Sequence, residues 1–458
     1  ITVLTKSGTN QLHGSLFEYH DNQHLKAFNY FSKANPQSDG SAQPKPLRIY
    51  NNYGGTIGGP IKKNKLFYFY SFDGTRQRDG AVGTYSVPTA AMKAGNFSGF
   101  TTTIYDPLTG NPDGTGRTAF AGNIIPTSRI SSQAAKIQGY YPSPNLSGSQ
   151  SNFFASGVPQ FNRDYNDVKI NYNLSDKQQI FGHYGIMKGL VVGKALFGDG
   201  VGPSPGADAG TGDTRVQNMS IGANRVVSPS LLFDGVIGYQ RQDQTVRGID
   251  FGKDFSTTLG IPGIGGSDPR QQGFPNTAIS GYDNFGVPGW MPLSRVEENY
   301  TLSVNGTYTR SSHTFRFGFN GVNYRMTHWQ PELGAGPRGS FGFGGGATAL
   351  NGGPGADNYN SYAQFLLGLS DDVEKSYQYI VMTPREFQFS WYAQDRWQVS
   401  RKLTMTIGLR YELYPLMTRA RREYSAILLE VLAAHHPEDG RERLLERCRE
   451  VFAAQTRR

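Results

Sequence analysis

One cysteine, Cys448, stands among 458 residues, so the chain can build neither an intramolecular disulfide framework nor a cysteine-rich zinc centre. Charge is scarce as well: Asp, Glu, Lys and Arg supply 18% of the residues, against about 25% in an ordinary soluble domain. No run of about 18 apolar residues occurs, which excludes a transmembrane helix. It does not exclude transmembrane strands, which cross in about 9–11 residues with only alternate positions apolar and so hide within a mean hydropathy of −0.49. The opening ITVLTKSGTN has no charged n-region, apolar h-region or cleavage site; either the protein is not exported or its beginning is missing. The net charge of +9 comes without a basic helix, zinc-finger or RNP motif. Nucleic acid is therefore not an expected partner, and basic loops facing an acidic lipid surface account for the charge equally well.

Glycine and aromatic residues are abundant. The 58 glycines approach twice the usual ~7%, and aromatics reach 13%. This profile suits many strands with long, irregular connections. The run Arg48 to Arg78 sets the pattern. A glycine-rich arm at about 52–59 leads through Pro60 and Lys62-Lys63-Asn64-Lys65 to an aromatic arm at 65–73, where Leu66, Tyr68, Tyr70 and Phe72 share one face. Pro60 removes an amide donor, and the polar connection is short enough to join antiparallel neighbours. The unit is a β-hairpin with a basic tip.

Four later hairpins repeat it. Val168, Ile170, Tyr172 and Leu174 oppose Asp167, Lys169, Asn171 and Asn173, and the chain turns at Ser175-Asp176-Lys177. Leu231, Phe233, Ile237 and Tyr239 follow the turn Val227-Ser228-Pro229-Ser230. Tyr300, Leu302, Val304 and Tyr308 precede Arg310-Ser311-Ser312-His313, after which Phe315, Phe317 and Phe319 share a face. The last hairpin turns at Ser400-Arg401-Lys402 and returns with Leu403, Met405, Ile407, Leu409 and Tyr411. With a first strand at Leu12 to His20, eleven strands are expected. Their tips are short and polar. The opposite connections, about 188–214, 242–298 and 326–385, are long and rich in Gly, Pro, Asn and Asp, and Gly74 to Asp164 shows no sustained period. Short turns on one side and long loops on the other are the signature of a transmembrane β-barrel; a soluble sandwich would need its apolar faces to bury each other. The expected fold is all-β, an antiparallel transmembrane β-barrel fragment of about eleven strands. From about Arg421 the character changes. Residues 421–458 hold 15 charged residues in 38 with apolar residues at helical spacing, so 419–458 is read as a charged helical tail, native or chimeric.

The segments ITVLTKSGTNQLHGSLFEYH, NNYGGTIGGPIKKNKLFYFYSFDGTRQR, VPTAAMKAGNFS, IYDPLTG, NIIPTSRI and YYPSPN, in that order, resemble the Oar-like group of TonB-dependent outer-membrane transporters. WYAQDRWQVSRKLTMTIGLRYELYPLMT resembles a later barrel hairpin of that wider class. The resemblance spans about residues 1–418. It implies outer-membrane location and a partial receptor barrel over 12–418, half of a 22-stranded barrel, with long extracellular loops. It further implies that 1–11 is the end of a plug and its junction to the first strand. It also implies energised uptake driven by the TonB–ExbB–ExbD complex, with outer-membrane lipid around the wall. The TonB box, the carboxypeptidase-regulatory-like domain and nearly all of the plug are missing from this sequence. An adhesion or polymer-binding barrel without transport is the alternative.

No catalytic set, cofactor or metal site is expected. His13 and His20 alternate onto opposite faces of a strand, and His24 lies beyond it, which does not suit a metal. Gly334-Ala335-Gly336-Pro337-Arg338-Gly339 neither follows a strand nor opens a helix, so it reads as a loop rather than a nucleotide cradle. Asp106 to Gly114 reads as consecutive turns, and Asp371, Asp372 and Glu374 as a solvated loop. Trp391, Trp397, Tyr411 and Tyr414 suit interfacial girdles. Trp290 and Trp329, in or beside long loops, are the candidate ligand-binding residues, for an oligosaccharide, peptide or metal chelate. The barrel reading predicts that the protein fractionates with outer membranes and shows heat-dependent gel mobility; recovery as a soluble periplasmic protein would reject it.

Overall fold

The computed structural model describes residues 5–28, 45–331, 335–350, 356–376 and 380–420. The tail expected over 419–458 lies, from residue 421 onward, outside them. In chain order the strands are β1 (His13–Asn22), β2 (Arg48–Lys62), β3 (Leu66–Asp79), β4 (Ala81–Tyr85), β5 (Phe153–Gly157), β6 (Gln160–Ser175), β7 (Gln178–Gly193), β8 (Gly210–Ser228) and β9 (Leu231–Gly248). They continue as β10 (Asn276–Ile279), β11 (Leu293–Arg310), β12 (His313–Trp329), β13 (Ser340–Phe343), β14 (Asp372–Glu374), β15 (Pro384–Ser400), β16 (Leu403–Leu413) and β17 (Thr418–Arg419). A 12-stranded antiparallel sheet forms the wall, in the order β1-β2-β3-β6-β7-β8-β9-β11-β12-β15-β16, with β17 also paired to β15. Among the described residues no pairing joins β1 to β16.

The expected hairpins are all present, joined at one end by tight turns. Gln178 pairs with Ser175, Leu231 with Ser228, His313 with Arg310 and Leu403 with Ser400, leaving two residues in each turn. Between Lys62 and Leu66 the reversal places Asn64 at φ 63°, a left-handed conformation that asparagine tolerates.

Directly opposed residues share a face, so the register sorts the wall. Tyr70, Val168, Tyr184, Met219, Tyr239 and Tyr300 form one cross-strand row on the apolar face. Ser71, Asp167 and Gly185, then Asn218, Gln240 and Asn299, belong to the polar face. The row of Tyr70 also measures the stagger. Tyr70, Tyr184, Tyr239 and Asn323 stand 4, 6, 8 and 10 residues from Leu66, Gln178, Leu231 and His313, the turn-side starts of their strands. The row therefore advances one residue per strand. With a rise of about 3.3 Å and a strand spacing of about 4.8 Å, this tilts the strands by roughly 35°, in the range of about 35–45° for transmembrane barrels.

Counting outward from the turns, the apolar face stays apolar for about ten residues, which at that tilt spans roughly 27 Å, near the ~25 Å apolar band of such barrels. Charged groups then appear on the same face. Arg76 pairs with Asp164 at 2.8 Å, and Arg241 with Asp243 at 3.0 Å. The Tyr239 hydroxyl donates to Glu298 at 2.8 Å, and Arg325 lies over the Tyr300 ring at 4.8 Å. This explains why sequence alternation ended early. The strands continue beyond the apolar band with both faces polar, so the connections shorten to residues 194–209, 249–292 and 330–383, and β3 and β6 extend into the segment that had shown no period.

The hydrophobic core lies away from the wall. Four connections between wall strands, β3 to β6, β7 to β8, β9 to β11 and β12 to β15, co-pack into one cap at the end opposite the turns. The helix Asn358–Leu367 runs through it, with Asp357 and Asn360 forming a capping box and Gly368 closing it at φ 72°. Around this helix Phe343 meets Phe365 edge-on at 5.3 Å, Tyr282 meets Tyr362 at 5.2 Å and Phe100 stacks on Tyr359 at 4.2 Å. Phe285 joins Tyr141, Phe197 and Phe274 from three different connections. A small sheet, β10-β13-β14, crosslinks two of them. The register makes a test. Val304→Arg, on the apolar face inside the band, should cost about 2–4 kcal/mol in lipid vesicles, whereas Thr301→Arg on the polar face should stay within about 0.5 kcal/mol of wild type. Urea titration followed by tryptophan fluorescence reads both; equal costs would mean the faces are assigned wrongly.

Candidate functional site

Two surfaces carry the chemistry: the cap and the polar face beneath it. In the cap, the motif residues 87–144 form the local framework. Thr89 caps a short helix by accepting from the Met92 amide, and Val87, Met92 and Phe97 are fully buried. The Asn123 side chain bridges three backbone groups, donating to the Phe97 and Thr102 carbonyls and accepting from the Ile104 amide. Arg129 forks onto Asp106 through bonds of 2.8 and 2.9 Å while lying over the Phe120 ring at 5.5 Å. The turns expected from Asp106 are present, and its carboxylate is a structural tie between the IYDPLTG and NIIPTSRI segments. That hydrogen bond holds the Asp106 carboxyl below its ordinary value.

A second tie escaped the sequence reading. Arg338, in the glycine-rich 334–339 segment, is only 3% exposed and donates to the Met291, Val287 and Pro288 carbonyls. Gly334 itself lies outside the described residues. Burial lowers the Arg338 guanidinium from its ordinary value, and the nearby Asp250 carboxylate opposes that shift. Asp250 is fully buried and accepts from the Phe274 amide at 2.7 Å. Nothing local in either stretch signals the pair; only the meeting of two connections creates it. Asp371, expected to be solvated, braces the central helix by accepting from the Gln364 side chain at 2.6 Å and from the Gly344 amide. His13 and His20 point to opposite faces of β1, and His20 hydrogen-bonds Asn51 at 2.6 Å.

The polar face is a continuous hydrogen-bonding surface. His183 contacts Asp167 at 2.5 Å, and the Tyr165 hydroxyl donates to the same carboxylate at 3.0 Å. Arg163 pairs with Asp73 at 2.9 Å, and Arg48 with both Asp21 and Asp79. Across the sheet Asn305 donates to Asp234 at 2.8 Å and accepts from the Tyr392 hydroxyl at 2.9 Å. A recess of about 350 Å³ adds Glu297, Asn299, Tyr324, Glu386 and Gln388. Residues ahead of β1 run along this face. Lys169 donates to Thr5 at 2.8 Å, Asn10 bonds Asn64 at the first turn, and a Cβ at Gly8 would sit 2.2 Å from the Tyr68 carbonyl oxygen. Glycine is what lets that backbone approach so closely.

The two tryptophans occupy different environments. Trp290 is 37% exposed on the β9–β11 connection. Trp329 ends β12, is 3% exposed and carries Arg270 over its ring at 4.5 Å. It lines a cavity of about 320 Å³ with Arg247, Phe251, Arg270 and Leu293, and Trp290 is not one of the lining residues.

A tilted antiparallel wall with an apolar band, a polar inner face, tight turns at one end and long loops at the other is a membrane-spanning β-barrel wall. The chain belongs to the outer membrane beta barrel domain family, whose model matches residues 4–436. Its location is the outer membrane. No curated protein matches the sequence. Similar solved structures include a mutant of the ferric enterobactin receptor PfeA from Pseudomonas aeruginosa, at 12% identity and a TM-score of 0.40, covering 90% of this chain and 40% of that one. The outer membrane transporter YddB from Escherichia coli is 8% identical with a TM-score of 0.43, covering 89% and 39%. The siderophore receptor PirA from Acinetobacter baumannii is 11% identical with a TM-score of 0.40, covering 92% and 42%. The chain spans about two fifths of the length of these proteins.

The Asp106–Arg129 tie is open to a pH test. Because its folded carboxyl lies below the ordinary value, the pair contributes fully above the unfolded carboxylate value of about 3.9 and loses its contribution as pH falls through the folded one. Arg129→Gln should therefore weaken the cap by about 1–3 kcal/mol near neutral pH, with the difference from wild type closing at lower pH. Hydrogen exchange of the cap amides measures this; a gap as wide at pH 3 as at pH 7 would contradict it.

Proposed function

We propose that this chain forms part of the barrel of a TonB-dependent transporter of the Oar-like group, with the cap capturing an extracellular ligand and the polar inner face lining its route. The observation that carries the reading is the course of residues 5–11 along the polar face, tied by Lys169 to Thr5 and by Asn64 to Asn10. A segment held there is where a plug would join the first strand. On this reading 1–11 is that junction, 12–418 the partial barrel and 419–458 the charged tail. The polar face supports it too, because its side chains offer graded donors and acceptors rather than an apolar seal. The TonB–ExbB–ExbD complex supplies the energy, and no catalysis is involved.

The ligand class is an oligosaccharide, a peptide or a metal chelate. Trp290 and Trp329 are its proposed contacts, Trp290 from the cap surface and Trp329 through the cavity it shares with Arg247 and Arg270. The test compares accumulation of labelled oligosaccharides, peptides and ferric chelates by cells expressing the gene product, with and without TonB. Transport predicts that accumulation of one of them falls without TonB to the level of cells lacking the gene. Surface capture that persists unchanged without TonB would replace this reading with an adhesion or polymer-binding barrel. In either case Trp290→Ala should weaken capture by about 2 kcal/mol if the indole is a central anchor.

A further inference from the structure

On much of the polar face the side chains satisfy one another: His183 contacts Asp167, Arg163 pairs with Asp73, and Asn305 joins Asp234 to Tyr392. One region is built differently. Gln240, Gln242 and Gln244 stand at alternate positions of β9 on this face, directly opposite Asn299, Glu297 and Arg295 of β11. The next strands continue the row, with Tyr324 opposite Asn299 and Glu386 opposite Tyr324. Here the face opens into the recess of about 350 Å³, where Met326 and Met417 add apolar lining. That volume falls within the range of about 300–1,000 Å³ typical of ligand sites.

The chemistry of this recess is selective. Among the described residues neither the Tyr324 hydroxyl nor the Asn299 carboxamide makes a side-chain hydrogen bond. The Gln388 amide is spent on Glu386 at 2.8 Å, which leaves its oxygen as an acceptor. Carboxylates only accept, so with Glu297 and Glu386 in the lining the acceptors outnumber the donors. The cations nearby are committed. Arg295 pairs with Glu297 at 3.5 Å and Arg410 with Glu412 at 2.6 Å, and Arg419, opposite Pro384, is engaged as well. The Arg325 guanidinium lies over Tyr300 on the outer face, and Arg385 donates to the Met326 carbonyl. An anionic ligand would therefore meet carboxylates without a free cation to offset them. Tyr324 is 42% exposed and supplies a ring at the centre of the row. A matching ligand is uncharged, rich in donors and apolar on one flank, as a pyranose is. A peptide backbone, with one donor for each acceptor, leaves the surplus acceptors unmatched.

We propose that this recess is a saccharide subsite: an uncharged pyranose stacks on Tyr324 and donates hydroxyls to Glu297, Glu386 and Gln388, while adjoining sugar units follow Gln240, Gln242 and Gln244. The proposal rests on the reading of the polar face as the ligand's route, and it narrows the ligand to a neutral oligosaccharide. Sugar C–H bonds meet the electron-rich face of the tyrosine ring. Each carboxamide of the β9 ladder both donates and accepts, as a hydroxyl does, so a sugar chain can exchange one set of hydrogen bonds for the next as it advances.

The experiment titrates the full chain in mild detergent, by calorimetry, with maltohexaose, cellohexaose, xylohexaose, the anionic hexagalacturonate and the peptide hexaglycine. One of the neutral sugars should bind about tenfold or more tighter than hexagalacturonate and hexaglycine. Tyr324→Ala should weaken that sugar by about tenfold, whereas Tyr324→Phe, which keeps the ring, should stay within about twofold of wild type. Ser303→Ala is the control, on the same strand and face as Asn299 but outside the recess, and it should leave binding unchanged. Absence of binding by all three neutral sugars, equal affinity for hexagalacturonate, or equal loss in Tyr324→Phe or Ser303→Ala and Tyr324→Ala would each overturn the proposal. Binding in detergent needs no TonB, so the two readings fail separately. Uptake of a peptide or a chelate that depends on TonB, with no sugar bound, would remove the subsite and keep transport; sugar binding with accumulation indifferent to TonB would do the reverse.

Discussion

In a hydrocarbon layer an unpaired backbone amide or carbonyl costs several kcal/mol, and the rest of this structure follows from meeting that demand with strands. Antiparallel pairing from β1 to β16 satisfies the backbone between neighbours, and the one-residue stagger sets the tilt. The tilt in turn fixes how many residues each strand spends in the apolar band. Beyond it the same strands continue in water, and the outer face changes from Tyr and Ile to Arg, Asp and Glu within two or three positions. Tyr239 and Tyr300 mark that border, each with its ring in the band and a charged partner above it.

The hydrophobic effect then acts mainly outside the sheet. The exposed Ile221, Ile237 and Leu409 of the wall face lipid rather than a protein interior. Apolar side chains that escape water do so in the cap, where Phe97, Phe274, Phe285, Tyr362 and Phe365 are all but completely buried. The connections are long enough to build a core because four of them share it. Phe285 alone joins three connections, so they pack as one unit rather than as separate loops. Two ties of different character stabilise it: the Asp106–Arg129 ion pair inside one connection, and the buried Arg338 donating to the Met291, Val287 and Pro288 carbonyls of another.

The hairpins were legible because their alternation is strict where one face meets lipid. Val168 to Leu174 and Phe315 to Phe319 could be assigned to a face from spacing alone, and the register bears this out. Strand ends were not legible, because above the band both faces are polar and the period of two fades. Residues 74–79 and 160–164 pair regularly although no pattern announces it. The candidate sites fared differently. Trp329 and Trp290 both lie in or beside long loops, and only the fold separates them, one beneath Arg270 and the other at the surface.

Sequence alone determined that this chain is a set of short-turned hairpins with one lipid-compatible face, because alternation and turn chemistry are local properties. It determined the motif order that carries the family resemblance for the same reason. Tertiary structure decided what the connections do. Asp106 finding Arg129 across a connection, and Arg338 finding the Met291, Val287 and Pro288 carbonyls of another connection, depend on residues distant in sequence arriving together. Burial and charge pairing are pairwise and spatial, so no local pattern encodes them.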